Sequence, residues 1–298
     1  MLATPISVDL LSAAFPDLSG FDFMAAGSYK SVYRVARQDK ELEVLKIIRL
    51  PIDGSAEEEK ALRRQELGRA QREVSLLKVC TSPFVVKLGS VTPTIRELDG
   101  DDCLVYTEEF LPGQELKAVI NRVTLPDQAK IKQLLMCLVE AIRTLWTAQQ
   151  TVHRDIKPGN IIATGLTARP YVLLDLGIAY SVKEPGLTAK PDFIPATPRY
   201  MAPEMLDSNF RDNLSYRADL YAAGVTAFEY ATGGIHPLAR TADDLIHTIS
   251  RILHQEPKRL SVERPDLPEA LTNMIDQFNK KKPALRPGNL SLILKQLA

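Results

Sequence analysis

The chain has 298 residues, of which 45% are hydrophobic and 25% are charged, and its 37 basic and 37 acidic residues give a formal net charge of zero. This composition is typical of a globular protein with one large domain or two closely packed lobes. The balanced charge argues against a nucleic acid or a membrane surface as the main partner. Cys80, Cys103 and Cys137 are too few and too widely spaced for a disulfide framework, so reduced thiols are expected.

The N-terminal twenty residues lack the basic segment of a signal peptide, and Asp9 interrupts their apolar stretch. The most apolar window, at residues 134–142, is too short to cross a bilayer. We therefore expect a cytoplasmic protein that makes no membrane contact.

The first third of the chain is predicted to be strand-rich with one long helix. Residues 31–35 and 42–50 are short β-branched and apolar runs, which are typical of strands. Residues 55–79 carry apolar side chains at helical spacing, and Ser55 followed by Glu58 matches a capping box at the helix start. A second pair of strands is predicted at residues 85–91 and 103–110.

The pattern becomes helical after Pro112-Gly113. Residues 127–150 form a long amphipathic segment with Asp127 as its predicted N-cap. Further helices are predicted at residues 216–232, 241–255 and 268–280. A strand-rich first part and a helix-rich second part indicate two lobes of different kinds, joined near Pro112-Gly113.

The strongest chemical signal lies at residues 152–160, which read VHRDIKPGN. A polar turn between a helix and a strand would explain a lone Asp or His. A match of eight residues at fixed spacing argues strongly against that explanation. The segment matches H-R-D-x-x-x-x-N, the catalytic loop of protein kinases.

Later segments agree with this match. Residues 173–177 read LLDLG and resemble the D-F-G element with Leu in place of Phe, and residues 197–204 read TPRYMAPE and resemble the end of an activation segment. Residues 219–224 read DLYAAG and begin a helix, as the corresponding Asp does in that family. Over about residues 20–290, the chain therefore resembles the eukaryotic-like (Hanks-type) serine/threonine protein kinase family.

This resemblance implies an α+β, bilobal protein kinase fold with a strand-rich N-lobe and a helical C-lobe. The implied boundaries are an N-terminal extension at residues 1–20, the N-lobe at 21–111 and the C-lobe at 112–298, with one kinase domain at about 21–290.

In the C-lobe the resemblance assigns the chemistry. Asp155 would be the catalytic base and Lys157 would reach the transferred phosphate. Asn160 and Asp175 would hold Mg²⁺, with Mn²⁺ as the alternative ion, because hard cations prefer oxygen ligands. Away from these residues, Arg286 would form a structural pair with Glu204, although alone it would read as a surface charge.

In the N-lobe the resemblance points to a lysine and its carboxylate. Lys46 would bind the α- and β-phosphates of ATP, and Glu73 would hold it in place, with Glu66 as the alternative partner. Glu108 falls at the gatekeeper position, and a buried carboxylate there would need a partner such as Lys46. The other implied ATP-binding positions are Ala25, Gly27, Lys30, Val32, Val44, Glu109, Leu111 and Ile162.

The glycine-rich loop departs from the family pattern. Aligned on Val32, the template G-x-G-x-x-G-x-V keeps only Gly27, with Ala25 and Lys30 in place of the outer glycines. Ala and Lys still offer backbone N–H groups to phosphate, but they lack the conformational freedom of glycine. Weakened nucleotide binding is the expectation, and Lys30 is a candidate phosphate contact.

The activation segment spans residues 175–204. Phosphorylation of Ser181 or Thr188 could order it, since a phosphate on Thr188 could pair with Arg154. An alternative of equal weight is that Ser181 and Thr188 are ordinary hydroxyl residues of the loop. Thr197 is expected to be a structural contact to the catalytic loop rather than a phosphorylation site.

The expected function is ATP-dependent phosphorylation of serine or threonine on proteins or peptides, the chain itself among them. A separate regulatory protein is a further candidate partner. One alternative is a pseudokinase that acts as a scaffold, suggested by Ala25, Lys30 and Glu108. Another is a kinase for small molecules, which Lys157 and the A-P-E segment at residues 202–204 argue against.

Overall fold

The structure is a computed structural model, and it describes residues 4–27, 29–50, 56–176, 179–181, 198–207 and 214–298. Backbone contacts divide the chain into two compact units. The first unit comprises residues up to Val79 and Val86–Leu111, and the second comprises Cys80–Val85 and Pro112–Ala298.

The first unit is built on a five-stranded antiparallel sheet with the order β1-β2-β3-β5-β4. Its helices are α1, Val8–Ala14, and α2, Glu57–Val79. Its strands are β1 Leu18–Ala26, β2 Lys30–Arg37, β3 Leu42–Arg49, β4 Thr94–Leu98 and β5 Asp101–Glu109.

Alternation of side chains along the strands gives this sheet two different faces. On one face, residues such as Tyr33, Leu45 and Val105 form a buried core with Leu11 of α1. On the other face, Ile48 and its neighbours pack against Ala70 and Val74 of α2. Helix α1 lies within residues 1–20, predicted as an extension, and its Leu11 is fully buried.

The prediction of a strand at residues 85–91 was wrong. Val85 and Leu88 form isolated bridges, that of Leu88 being to Glu108 of β5, and no strand is formed over these described residues. The strand that pairs with β5 on the side away from β3 is β4, Thr94–Leu98. A tight turn at Asp99-Gly100 joins β4 to β5, with positive φ values of 57° and 78°. An Asp-Gly pair with both residues in this region is a strong hairpin signal, and it was available in the sequence.

The predicted long helix in this unit begins at Glu57 among the described residues, and Ser55 of its predicted capping box lies outside them. The strands predicted at residues 31–35 and 42–50 are confirmed as β2 and β3.

The second unit is mainly helical. Its described helices are α3 Leu116–Val119, α4 Gln128–Gln149, α5 Tyr216–Ala231, α6 Leu245–His254, α7 Leu260–Glu263, α8 Glu269–Phe278 and α9 Leu290–Leu297. Short 3₁₀ turns occupy Pro158–Asn160, Pro198–Tyr200, Pro203–Leu206 and Pro283–Leu285. Its strands are β6 Gln114–Glu115, β7 Thr151–Val152, β8 Ile161–Ala163, β9 Tyr171–Leu173 and β10 Tyr180–Ser181.

Helix α4 confirms the prediction for residues 127–150, since the Asp127 side chain accepts a hydrogen bond from the Lys130 N–H as an N-cap. Helix α6 starts at Leu245 rather than at residue 241, because Asp244 caps it. Helices α1, α3, α7 and α9 were not predicted.

The turn that opens the second unit requires glycine. Gly113 has a φ of +110°, and a Cβ there would lie 2.0 Å from the Ala163 carbonyl oxygen. This close approach brings β6 beside β8, with Glu115 opposite Ile162.

Each of the three cysteines is a free thiol, with Cys103 and Cys137 buried. Of the helices that the structure describes, none combines the length and the apolar character needed to cross a membrane.

Candidate active site

The register of the first unit's sheet places a charged cluster on the face that packs against α2. Lys46 of β3 lies opposite Val32 on β2 and Tyr106 on β5, and Val44 lies opposite Glu108. Paired residues of an antiparallel ladder point to the same face. Lys46, Tyr106 and Glu108 therefore project together, although Lys46 and Glu108 are 62 residues apart in the sequence.

Lys46 contacts two carboxylates. Its Nζ donates to Glu73 Oε1 at 2.9 Å and to Glu108 Oε1 at 2.5 Å. The Tyr106 hydroxyl donates to Glu73 Oε2 at 2.7 Å. Side-chain exposure is only 9% for Lys46, 3% for Glu73 and 5% for Glu108, so water contributes little to their solvation.

The two carboxyl groups respond differently to this burial. Burial raises the pKa of Glu108 to about 7, an effect that Lys46 opposes and Glu73 reinforces. Burial also acts to raise the pKa of Glu73, but the Lys46 and Lys30 ammonium groups and the Tyr106 hydroxyl outweigh it and lower the pKa to about 2. Glu73 is therefore the ionised partner of Lys46 at neutral pH.

Glu66, the alternative partner of Lys46, pairs with Arg69 at 2.9 Å on its own helix. Helix α2 is also tied to β5 and to the glycine-rich loop by Arg63. Its guanidinium lies 5.0 Å from the centre of the Tyr29 ring and 3.7 Å from Asp101. The Arg63 side chain is buried.

The remaining predicted ATP-binding positions of the first unit are accessible. Ala25 pairs with Val32 across β1 and β2, and the Gly27 N–H donates to the Lys30 carbonyl at 2.8 Å. A Cβ at Gly27 would come no closer than 3.9 Å to the Lys30 side chain. Val32, Val44, Glu109 and Leu111 are half-buried.

In the second unit, the segment after β7 forms a compact loop around Asp155. Lys157 Nζ lies 2.9 and 2.8 Å from the two carboxylate oxygens of Asp155. Asn160 Nδ2 donates to Asp155 Oδ2 at 2.7 Å and to its backbone oxygen at 2.9 Å. The Asp155 side chain is 19% exposed, so it is held firmly and still meets solvent.

A buried carboxylate holds the backbone of this loop through hydrogen bonds. Asp219, at the start of α5, accepts the backbone N–H groups of His153 at 2.7 Å and Arg154 at 2.9 Å. Arg154 has a positive φ of 71°, which is strained for a side chain of its size. Burial raises the pKa of Asp219 despite these donors and the nearby His153 and Arg154.

His153 connects the loop to the segment that carries Asp175. Its Nδ1 accepts the Asp155 N–H at 3.2 Å, so Nε2 carries the proton and donates to the Leu174 carbonyl at 3.1 Å. The Leu174 N–H donates to the Asn160 carbonyl at 2.8 Å, and Ile161 pairs with Leu173. Asn160 therefore directly precedes β8, which carries Ile162, and Asp175 follows β9, the strand paired with β8.

The chemistry of this pair fits a hard cation. Both N–H groups of the Asn160 amide are engaged with Asp155, which leaves its carbonyl oxygen to face a ligand. Asp175 is half-buried and has a positive φ of 60°. In the described parts of the chain, no three His, Cys, Asp or Glu side chains are grouped to hold a metal ion, so phosphate oxygens would have to supply further ligands.

The predicted pair of Glu204 and Arg286 is present. The guanidinium binds both carboxylate oxygens, at 2.5 and 2.8 Å, and also donates to the carbonyls of Arg217, Lys280 and Lys281. Its side chain is fully buried. The reading of Arg286 as a surface charge is therefore excluded.

Sequence reasoning missed a second anchor of the segment that precedes Glu204. His236 Nε2 donates to the Arg199 carbonyl at 2.8 Å, while its Nδ1 accepts the N–H groups of Leu238 and Ala239. Tyr200 donates its hydroxyl to Glu229 at 2.5 Å. Burial, together with Arg199, lowers the pKa of His236 to about 3, so it stays neutral.

Of three predicted positions in the activation segment, the structure describes only the backbone of one. Thr188 and Thr197 lie outside the described residues. The backbone of Ser181 pairs with Thr151 in the short β7–β10 ladder, and its side chain is not among those described.

Comparison with known proteins agrees with this geometry. A family model described as protein kinase domain matches residues 22–297. The chain belongs to the protein kinase family. The resemblance drawn from its motifs is thereby confirmed, and so is the α+β, bilobal kinase fold class, with a strand-rich first unit and a helical second unit.

Curated relatives carry kinase names. The chain is 34% identical over 169 residues to the dual specificity mitogen-activated protein kinase kinase mek-1 of Caenorhabditis elegans, covering 55% of this chain and 44% of the relative. It is 28% identical over 275 residues to the serine/threonine-protein kinase PkaA of Streptomyces coelicolor, covering 89% and 44%. It is 29% identical over 226 residues to PknD, a serine/threonine-protein kinase of Mycobacterium tuberculosis, covering 73% and 31%. The chain thus spans less than half the length of these relatives.

Proposed function

We propose that this chain transfers the γ-phosphoryl group of ATP to serine or threonine hydroxyls of proteins. The observation that carries the proposal is the arrangement around Asp155, whose carboxylate is held by Lys157 and Asn160 and remains open to solvent. Positioning and charge stabilisation account for most of the catalysis of phosphoryl transfer, and this loop supplies both.

In the proposed reaction, the substrate hydroxyl oxygen forms a bond to the γ-phosphorus. The bond from that phosphorus to the bridging oxygen of ADP breaks, and the hydroxyl proton passes to Asp155. Lys157, whose ammonium lies beside the Asp155 carboxylate, is placed to contact the transferred phosphoryl oxygens. Phosphoserine or phosphothreonine and ADP are the products. A lysine at this position supports a serine or threonine acceptor rather than tyrosine.

Asn160 and Asp175 are the proposed ligands of Mg²⁺, with Mn²⁺ as the alternative ion. When bound, the cation neutralises negative charge on the phosphate oxygens. The protein's own part is to orient the Asn160 oxygen, which it does through the two hydrogen bonds from the amide nitrogen to Asp155.

In the first unit, Lys46 is the proposed contact for the α- and β-phosphates and Glu73 is its positioning partner. Their 2.9 Å ion pair supports this assignment. The proposed adenine and loop contacts are Ala25, Gly27, Lys30, Val32, Val44, Glu109, Leu111 and, in the second unit, Ile162. Glu204 and Arg286 are proposed as a structural pair, and Ser181, Thr188 and Thr197 remain predictions.

Transfer of labelled γ-phosphate from Mg-ATP, both to the protein itself and to a generic basic protein, tests the proposal. We expect transfer by the wild type and loss of about 10²- to 10⁴-fold in Asp155→Ala, the range for a lost general base. Lys46→Ala should also lose transfer. Glu97→Gln, at an exposed position of β4, is the matched control and should keep wild-type transfer.

Wild-type protein that binds Mg-ATP but transfers no phosphate would contradict the proposal. Equal transfer by wild type and Asp155→Ala would contradict the assignment of the base.

A further inference from the structure

The cluster around Lys46 contains one carboxylate more than its phosphate-binding role requires. Glu73 already gives Lys46 a partner at 2.9 Å, yet Glu108 lies at 2.5 Å from the same ammonium. Glu73 and Glu108 are each less than one-tenth exposed. Two buried carboxylates that share one ammonium carry an excess negative charge, which burial disfavours.

The hydrogen bonds decide which carboxyl takes up a proton. Glu73 has two donors, Lys46 and the Tyr106 hydroxyl, whereas Lys46 is the donor to Glu108. The charged groups that act on Glu108 include Lys30 from β2, Lys46 from β3 and Glu73 from α2, and Tyr106 of β5 lies on the same face of the sheet. Because Glu73 is better solvated by its donors, the proton belongs to Glu108, in agreement with its raised pKa of about 7.

We propose that Glu108 is a positioning residue that controls how much of the Lys46 charge is available to nucleotide phosphates, and that nucleotide binding is coupled to proton uptake by Glu108. This inference rests on the proposed role of Lys46 in binding phosphate. It extends that role by adding a residue that acts through Lys46 and does not itself touch the nucleotide.

The direction of the coupling follows from charge. Ionised Glu108 neutralises Lys46 together with Glu73, and its negative charge repels phosphate. Protonation of Glu108 removes one of the two negative charges that contact Lys46, so the ammonium attracts an anion more strongly. By thermodynamic linkage, a bound phosphate raises the pKa of Glu108 further, and nucleotide affinity increases as the pH falls through this titration.

The test is the dissociation constant of Mg-ADP measured by calorimetry between pH 6 and 8.5, for wild type and Glu108→Gln. One linked proton weakens binding by up to about tenfold per pH unit above the titration. We expect this weakening in wild type and a flat profile in Glu108→Gln. Titration of the nucleotide itself is common to both proteins and cancels in the comparison. Repeating the titration in two buffers of different ionisation enthalpy should reveal proton uptake by wild type at pH 8 and none by the variant.

Glu97→Gln is the matched control and should keep the wild-type pH profile, because Glu97 lies exposed on the same sheet. If Glu108→Gln fails to fold, Glu108→Met tests the same point, since it removes the charge and keeps a side chain of similar volume. Parallel pH profiles in wild type and variant would overturn the inference and leave the proposed function standing. Failure of every protein to bind nucleotide would overturn both.

The nucleotide-free protein offers an independent readout. The pKa of Glu108 is about 7 in the folded state, against 4.5 as its ordinary value. The folded state therefore holds the proton more tightly, and this contribution to stability is present at low pH and lost as the pH rises toward 7. Urea denaturation between pH 5 and 8 should show this loss in wild type and not in Glu108→Gln. An identical pH dependence in both would overturn the inference even if nucleotide binds.

Discussion

The two charged clusters of this chain differ in the ratio of hydrogen-bond donors to carboxylates. Around Asp155, one partly exposed carboxylate receives hydrogen bonds from two side chains, Lys157 and Asn160. Around Lys46, one buried ammonium serves two buried carboxylates, Glu73 and Glu108. The first arrangement surrounds a partly exposed carboxylate with hydrogen-bond donors, whereas the second has an excess charge that a proton relieves. Burial and the ratio of donors to acceptors, rather than the residue types, make the difference.

Removal of the lysine from each cluster should give the largest difference in stability between the two clusters. Lys46→Met leaves two buried carboxylates without their cation, and we expect a loss of about 3–5 kcal/mol in the free energy of unfolding at pH 8. Lys157→Met leaves a carboxylate that is 19% exposed and still bonded to Asn160, so a loss below about 1 kcal/mol is expected.

Urea denaturation of both variants measures these losses. The cost of Lys46→Met should shrink at pH 5, because Glu108 is then protonated in the folded protein. Equal losses for the two variants at pH 8 would show that the difference in burial has no energetic consequence.

A buried histidine in the second unit should give a pH dependence of stability opposite to that of Glu108. His236 has its pKa lowered from 6.5 to about 3, first by burial and then by Arg199. Its stabilising contribution is therefore present above pH 6.5 and is lost as the pH falls toward 3, which is the opposite sign to Glu108. The free energy of unfolding should fall by about 1.4 kcal/mol per pH unit from this group.

Denaturation of wild type and His236→Gln between pH 6.5 and 4 checks this slope. The variant should lack the contribution, so the two curves should converge as the pH is lowered. Curves that stay parallel over this range would mean that His236 is not the group that titrates.

The smallest expected effect concerns the donor that keeps Glu73 ionised. Tyr106→Phe removes the 2.7 Å hydrogen bond to Glu73 and should cost about 2 kcal/mol, as for a hydrogen bond to a charged group. Tyr216→Phe is the matched control, because its hydroxyl donates to the neutral Gly288 carbonyl at an exposed site, and it should cost less than about 1 kcal/mol.

Both costs are measured by urea denaturation at pH 8. With the Tyr106 donor removed, Glu73 and Glu108 should also share the proton more evenly. A cost for Tyr106→Phe no larger than that for Tyr216→Phe would indicate that Lys46 alone satisfies Glu73.

Much of the site could be anticipated because its residues are close together in the sequence. Asp155, Lys157 and Asn160 lie within six residues, so a short loop brings them into contact, and the distant Asp219 holds its backbone. Helix α4 was predictable for a similar reason, since its apolar periodicity and its Asp127 cap are local features. The strand wrongly placed at residues 85–91 shows the limit of such reasoning, because apolar character does not say which segment pairs with β5.

The sequence by itself determined the family, because its motifs match residue types at a set spacing. The resemblance to that family in turn implied the lysine and carboxylates of the two clusters and the pair of Glu204 with Arg286. Only the tertiary structure decided that Tyr106 supports Glu73 and that Glu108 shares Lys46 at the same time as Glu73. The protonation of Glu108 depends on which groups surround it after folding and on how completely water is excluded, and neither quantity is a property of neighbouring positions in the chain.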